Sequence, residues 1–545
     1  MQLVTRLDEP ASPKELPDAG ITTTGRGMGV REFSEAYVIS DLHIGGPPGF
    51  QMFASADRFT AFCGNLEKRL RELRRKSKSA EVLLVINGDF VDFLAEQQPH
   101  YFVQDSSVDL LHAILDDADR FQDVCDALKR FVSRAGAHLV VVLGNHDLEL
   151  ALPDCREAFY DILTDGRKER RARIELSFDG WGYRFQVGDA KALCLHGNET
   201  DKFNFTRYDE LNRICGELTM LGRSDFGRQW IPSAGTKFVV DAVNPLKQKH
   251  PFVDLMHPMI PLVPTVLGLL HPDNIRFADE AAALMGRAVS NELKRPASQR
   301  RMLSDGFGSP TGSPFEDEPQ PTAASDAETI VRNVEIAMKD GRIDELIAFS
   351  HDDTRVTLGI TDWLRNLHEA AGRLREQTVD LAKTTIDRLN DARKAAHRQT
   401  VRSVLLPLVA DELDLPTELS DEDKAIEATI GGRYDVLFVG HTHHRRLAPR
   451  ITGHGFHVNT GTWADRMTLL RRDVGDSGRF ALVYEALISP DRAVITDPQL
   501  GLVRRECTVA ALQLLPGRNQ TKVSLGQVPD GSDQFEAELS ETIQQ

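Results

Sequence analysis

Five short runs of β-branched and other apolar residues, each stopping abruptly at a polar cluster, constrain this chain more than anything else in it. They are AYVIS before Asp41, VLLVIN before Gly88, HLVVVL before Gly144, KALCL before His196 and DVLFV before Gly440. Runs of that length and composition read as buried strands. Helical patterns lie between the early runs, in RFTAFCGNLEKRLRELRRK and LLHAILDDADRFQDVCDALKRFVSRA. This alternation predicts an α/β domain. With 545 residues the chain exceeds what one core usually organises, so a main domain with a substantial insertion is expected.

The remaining stretches set the expected domain plan. Residues 1–33, 301–327 and 526–545 are rich in Pro, Gly, Ser and acidic residues without periodicity, and are expected to be a flexible N-terminal segment, a disordered loop and a flexible tail. Residues 34–204 and 431–525 hold the strand-like runs and form the two parts of the core. Between them, 205–430 reads as a mainly helical insertion or cap. Within it, Leu364, Leu367, Ala371, Leu374, Thr378 and Leu381 recur at the spacing of a helix packed along another helix. The apolar segment 254–272 carries Pro258, Pro261 and Pro264, which forbid a regular spanning helix. It is either core of the insertion or an exposed lip that meets lipid or a partner.

Composition narrows the partners. A formal net charge of -17 opposes binding of a polyanion, so nucleic acid is disfavoured unless a local basic patch or bound cations reverse the field. The six cysteines (Cys63, Cys125, Cys155, Cys194, Cys215 and Cys507) are too scattered for a zinc ribbon or redox pair and read as reduced core thiols. Neither a signal-peptide stretch at the N-terminus nor an uninterrupted apolar run of about 18 residues is present, so a cytoplasmic location is expected.

The polar clusters carry the chemistry. In chain order they are Asp41-Leu42-His43, Gly88-Asp89, Gly144-Asn145-His146-Asp147, His196-Gly197 and Gly440-His441-Thr442-His443, all at the C-terminal ends of expected strands, where open α/β sheets place ligands. Each alone is weak, because a Gly-Asp after a strand is usually a turn and a lone histidine is usually structural. Together they offer the mixed carboxylate and imidazole shell that two cations about 3.5–4 Å apart require in order to clamp an in-line displacement. Alternation along a strand end is expected to point Asp41 and His43, or His441 and His443, to one side.

This ordered set resembles the calcineurin-like metallophosphoesterase family at all five of its signature positions. The resemblance covers roughly 34–200 and 430–490. It implies a two-sheet sandwich flanked by helices. It also implies that Asp41, His43, Asp89 and His443 hold one metal ion, and that Asp89, as the bridge, holds a second with Asn145, His196 and His441. His146 matches the family's catalytic imidazole, with Asp147 orienting it. Two divalent or trivalent ions, manganese or an iron–manganese pair, with zinc or cobalt as alternatives, would activate the attacking water.

Two flanking features bear on substrate. After His196, the residues Asn198, Asp201 and Asn204 are candidate contacts to a substrate hydroxyl, or simply part of a capped helix start. After His443, Arg445 suits a second phosphate by bidentate bonding, and this GHTH-x-R arrangement resembles that of the UDP-2,3-diacylglucosamine diphosphatases. The Asn459-Thr460-Gly461-Thr462-Trp463 segment resembles the family's closing strand and turn, with Asn459 in support of the ligands. The expected function is therefore hydrolysis of a phosphomonoester, phosphodiester or pyrophosphate, small or lipid-linked, with peripheral membrane contact compatible. The rivals are a nuclease or cyclic-nucleotide phosphodiesterase on the same site, and a noncatalytic interaction scaffold. Oligomeric state is not legible in the sequence.

Overall fold

The computed structural model describes residues 30–96, 101–201, 203–224, 230–247, 249–257, 262, 263, 266, 270, 386–409, 417–515, 520–532 and 534–543. The N-terminal segment before residue 30, the 301–327 loop and the repeat from Leu364 to Leu381 lie outside these residues.

Among the described residues, fifteen strands form two main sheets and a small ribbon. In chain order the first twelve are β1 (Arg31–Phe33), β2 (Glu35–Ile39), β3 (Val82–Asn87), β4 (Ala137–Val142), β5 (Ile174–Ser177), β6 (Tyr183–Val187), β7 (Ala190–Cys194), β8 (Val436–Val439), β9 (Arg446–Pro449), β10 (Phe456–Asn459), β11 (Arg466–Met467) and β12 (Val503–Arg504). The last three are β13 (Thr508–Leu514), β14 (Thr521–Gln527) and β15 (Glu536–Thr542). One sheet runs β15-β14-β13-β2-β3-β4-β5 and the other β1-β6-β7-β8-β10-β9, with β11 paired to β12 alone. Strands β2 to β5 are mutually parallel, as are β7, β8 and β10. All five runs singled out in the sequence are strands, four of them buried at every position.

The period-two alternation of strand side chains sorts the cores. Val38, Val85 and Val140 face Phe185, Ala192 and Phe438 between the sheets. Their neighbours Ile39, Ile86 and Val141 face outward into a cluster shared with the helices α1 (Ala56–Lys76), α2 (Ser107–Leu115), α3 (Gln122–Ser133) and α4 (Pro153–Thr164). On the far face of the second sheet, Leu193, Leu437 and Val439 pack with Ile426 of a helix at Asp421–Ile430. The result is the expected α/β sandwich flanked by helices. The six cysteines are buried and unpaired.

Two expectations are corrected, and two alternatives are decided between. Residues 526–545 are not simply a flexible tail, because β15 adds an edge strand to β14 through a register with one shift. Its burial pattern is mostly exposed, which is why no alternation announced it. At the other end, β1 pairs in parallel with β6, inside the segment 1–33 expected to lack structure. The alternatives concern 254–272, core or exposed lip. Leu255, Met256, Leu262, Val263, Val266 and Leu270 are buried with Val401, Val404 and Leu405 of a helix at Ile386–Leu405 and with Phe480, Val483 and Leu487 of a helix at Ser477–Ile488. The described part of that segment is core, and it packs against the C-terminal region as well as the insertion.

Candidate metal centre

The strands end just short of the site. Ile39, Asn87 and Val439 are the last residues of β2, β3 and β8, and Asp41, His43, Asp89, His441 and His443 follow with φ of 53, 49, 50, 68 and 59°. Left-handed backbone is uncommon outside glycine and costs of order 1–3 kcal/mol per residue. Only two further non-glycine residues among those described adopt it. The strain is held by cross-links: Asp41 N–H donates to Gly88 O at 3.1 Å and His43 N–H to Asp89 O at 2.9 Å. Convergence of Asp41 with His43, and of His441 with His443, thus comes from left-handed turns beyond the strands, not from pleat alternation. Gly144 is required by closeness, since a Cβ there would stand 2.1 Å from Asp89 Oδ1.

These turns bring the seven expected ligands together. His443 Nε2 lies 3.2 Å from Asp41 Oδ1 and 3.1 Å from His43 Nε2. His196 Nε2 is 3.1 Å from Asp89 Oδ2, and His43 Nε2 is 3.6 Å from the same oxygen. Three overlapping groups have donor atoms all within 4.8 Å of one another: Asp41, His43 and His443; His43, Asp89 and His146; and Asp89, His196 and His441. Asp89 stands in two of them, the placement a bridging carboxylate needs. Asn145 is buried in the adjoining turn, its Oδ1 without a hydrogen-bond partner.

The imidazoles are oriented by acceptors that fix their protons. His196 Nδ1 donates to Asn87 O at 2.9 Å, which turns Nε2 toward Asp89 and makes it the nitrogen that a cation would engage. Asp92 receives two rings, His43 Nδ1 on Oδ2 and His146 Nδ1 on Oδ1, each at 3.0 Å. His441 Nε2 donates to Asp201 Oδ2 at 2.8 Å, so its Nδ1 is the nitrogen available to a ligand.

Charge explains the titration. Burial disfavours the charged form of His146, but Asp92 and Asp89 outweigh it and hold the ring up to about 9. His196 is raised to about 10, again against burial, by Asp89 and Asp41. Burial opposes ionisation of Asp201, yet His441 holds it at about 2. His443 is lowered by its burial, Asp41 offsetting only part of the effect.

The donor set fits cations. His443 Nδ1, His196 Nε2 and Asn145 Oδ1 are buried without hydrogen-bond partners, and the Nε2 atoms of His43 and His443 point at each other. Among the described residues, the ion pairs of Asp41, Asp89 and Asp92 are made with histidines alone. Oxygen and nitrogen donors with uncompensated negative charge are what Mn, Fe, Zn or Co sites present.

Three expected roles are not realised. Asp147 does not orient His146: its Oδ2 accepts Phe90 N–H at 2.8 Å and its Oδ1 accepts Gly144 N–H at 2.7 Å, so it braces the two turns, while burial and Asp89 push it up to about 7. Asn198 is fully buried and donates to Asn204 O and Thr206 Oγ1, not to a substrate space. Arg445 pairs with Glu538 of β15 at 2.7 Å, and the likeness to UDP-2,3-diacylglucosamine diphosphatases loses its mainstay there. Asn459 does support the last ligand turn, donating to Gly440 O and Thr442 Oγ1. Asp92, the true partner of His146, went unread in the sequence, although its place three residues after Asp89 was the signal available.

A cavity of about 300 Å³ opens over the ligands. Its floor includes His43, Asp89, Asn145, His146, His441 and His443, and its wall comes from 201–257, with Phe203, Phe238, Val239, Val243 and Lys247. His146, its side chain 16% exposed, is the most open of the histidines flanking Asp89 and His43.

Residues 36–257 match the family model of the calcineurin-like phosphoesterases. That stretch contains Asp41, His43, Asp89, Asn145, His146 and His196 and the whole described cavity wall; His441 and His443 lie beyond it. A comparison with curated proteins finds no match.

Proposed function

We propose that the protein is a dinuclear metal-dependent hydrolase of a phosphomonoester, phosphodiester or pyrophosphate. The observation that carries this reading is the set of buried, partnerless donor atoms gathered on both sides of Asp89. Asp41, His43, Asp89 and His443 would hold one cation. Asp89, Asn145, His196 and His441 would hold the other. Once bound, the pair supplies Lewis acidity toward the phosphoryl group and activates water. Manganese or an iron–manganese pair is the proposed occupant, with zinc or cobalt as alternatives.

The chain's own groups do the rest. Asp92 fixes the ring planes of His43 and His146 together, and Asp201 fixes His441. His146 keeps its Nδ1 on Asp92 and turns toward the cavity, where its Nε2 can protonate a leaving oxygen. The 201–257 wall excludes water from one side of that cavity. Residues 205–430 are proposed as the cap on a core of 34–204 and 431–525. No helix among the described residues is long and apolar enough to cross a membrane, and the six unpaired thiols favour a reducing compartment such as the cytoplasm.

Metal-stripped protein assayed on p-nitrophenyl phosphate and bis-p-nitrophenyl phosphate, with Mn, Fe, Zn, Co or Mg restored singly, tests this directly. Metal-dependent turnover that is absent from Asp89→Ala is the expected result, and the ester preferred separates mono- from diesterase. Bound metal with no turnover on these esters, on nucleoside diphosphates or on lipid-linked pyrophosphates would defeat the catalytic reading.

A further inference from the structure

The polar groups of the cavity wall are almost all engaged. Asp201 accepts from His441 and from Asn204, Asp92 serves two histidines, and Asp254 pairs with Arg492 at 3.1 Å. Asn244 donates to Leu94 O at 2.8 Å, which ties the start of the short helix Asn244–Lys247 to the core. Lys247 differs. It is 3% exposed, lines the same cavity as the metal ligands, and among the described residues has neither a carboxylate nor any other hydrogen-bond partner.

The stem of Lys247 is buried and the residue lines the cavity, so a cation sits there with no charge partner among the described residues, an arrangement suited to an anion that enters the cavity. Every carboxylate lining the cavity already has a cationic or imidazole partner, or is a ligand expected to face a cation. Among the described residues no carboxylate is left for Lys247, which points to the ligand as the source of its anion. Around Lys247 the wall is apolar, with Phe238, Val239 and Val243, so water competes poorly for the charge and the interaction is strengthened by the low local dielectric. A scissile phosphoryl group would be spoken for by the cations at Asp89, which leaves Lys247 for a different anionic group.

Building on the phosphoesterase reading, we propose that Lys247 binds a second anionic group of the substrate, so that the natural substrate is a pyrophosphate or a phosphate ester bearing another phosphate or carboxylate. A single-phosphate ester would leave Lys247 buried and unpaired, and the site would discriminate against it, as sites with an unmet polar group do.

Calorimetric binding of methylenediphosphonate, which does not hydrolyse, and of orthophosphate to manganese-loaded full-length protein separates the outcomes. Lys247→Met should weaken methylenediphosphonate at least about tenfold, or ~1.4 kcal/mol, and orthophosphate less than about twofold. Lys247→Arg should keep most of the affinity, since the charge remains. If Lys247→Met does not fold, Lys247→Gln carries the same comparison. Equal weakening of both anions, no weakening of either, or no binding of methylenediphosphonate by the wild type would overturn the assignment. Lys247-dependent binding without ester hydrolysis would sink the catalytic reading alone, whereas hydrolysis with binding indifferent to Lys247 would sink only this one.

Discussion

Two buried clusters of acid and imidazole lie in this protein, and they behave oppositely. Around His457 both ring nitrogens meet carboxylates and both carboxylates meet arginines: Nδ1 meets Glu427 at 3.1 Å, Nε2 meets Asp423 at 3.1 Å, Arg450 pairs with Glu427 and Arg446 with Asp423. Around Asp89 the ring nitrogens of His43 and His443 face one another, His196 Nε2, His443 Nδ1 and Asn145 Oδ1 lack hydrogen bonds, and the carboxylates pair with histidines alone. Both places hold buried carboxylates and imidazoles, but only the first also holds arginines paired with its carboxylates. What distinguishes a structural network from a ligand site is whether the protein itself completes the hydrogen bonding and cancels the charge.

That contrast can be broken or sharpened by substitution. Asp89→Asn has the largest expected effect: the shared ligand is lost, so bound metal measured by elemental analysis and ester turnover should both nearly vanish. Normal metal content would mean that Asp89 does not bridge. His146→Ala should retain the metals and slow the chemical step by about 10²–10⁴-fold in pre-steady-state kinetics, the range for a positioned proton donor. Asp92→Ala should cost about 10–100-fold in metal affinity or activity, because two rings lose their orienting acceptor at once. A variant with wild-type metal affinity and rates would show that the rings are held without it.

His457→Gln should leave turnover unchanged while lowering stability by about 3–5 kcal/mol, as breaking a buried pair does. Its pH signature is specific. Burial works against ionisation of Asp423 and Glu427, but His457 holds both down at about 2, so their contribution is present above the unfolded values near 4 and fades as pH falls through about 2. His457 is raised by the same carboxylates against its burial, so its contribution is complete below about 6.5 and is lost as pH climbs through the folded value. Thermal melts on the alkaline side should therefore fall more steeply for the wild type than for His457→Gln. Parallel curves would mean that His457 is not charged in the folded state.

The candidate ligands were legible because each closes a strand-like run, and runs such as VLLVIN are readable from composition. The sequence did not disclose how they converge, since left-handed turns at Asp41 and Asp89 leave no periodic trace. Asp92 and Asp201 were invisible as orienting groups because their partners are decided by folding; Asp201 reaches a histidine 240 residues away. Arg445 was misread for the same reason: its carboxylate partner sits on β15, whose exposed, alternation-free residues resembled a tail. The helix at Ser477–Ile488 was likewise not anticipated, its apolar face being understood only beside the 254–270 segment it buries.

The candidate ligands are divided between the sheets. Asp41, Asp89 and Asn145 follow β2, β3 and β4 of one, and His196, His441 and His443 follow β7 and β8 of the other. During synthesis, five of the seven leave the ribosome well before His441 and His443 exist, and β13, which lies between β14 and β2, comes later still. A nascent chain therefore carries a half-built cluster of acids and imidazoles for a long interval. Premature capture of a cation would have to draw on an incomplete shell, and the finished one becomes available only when the last segments of the chain are in place.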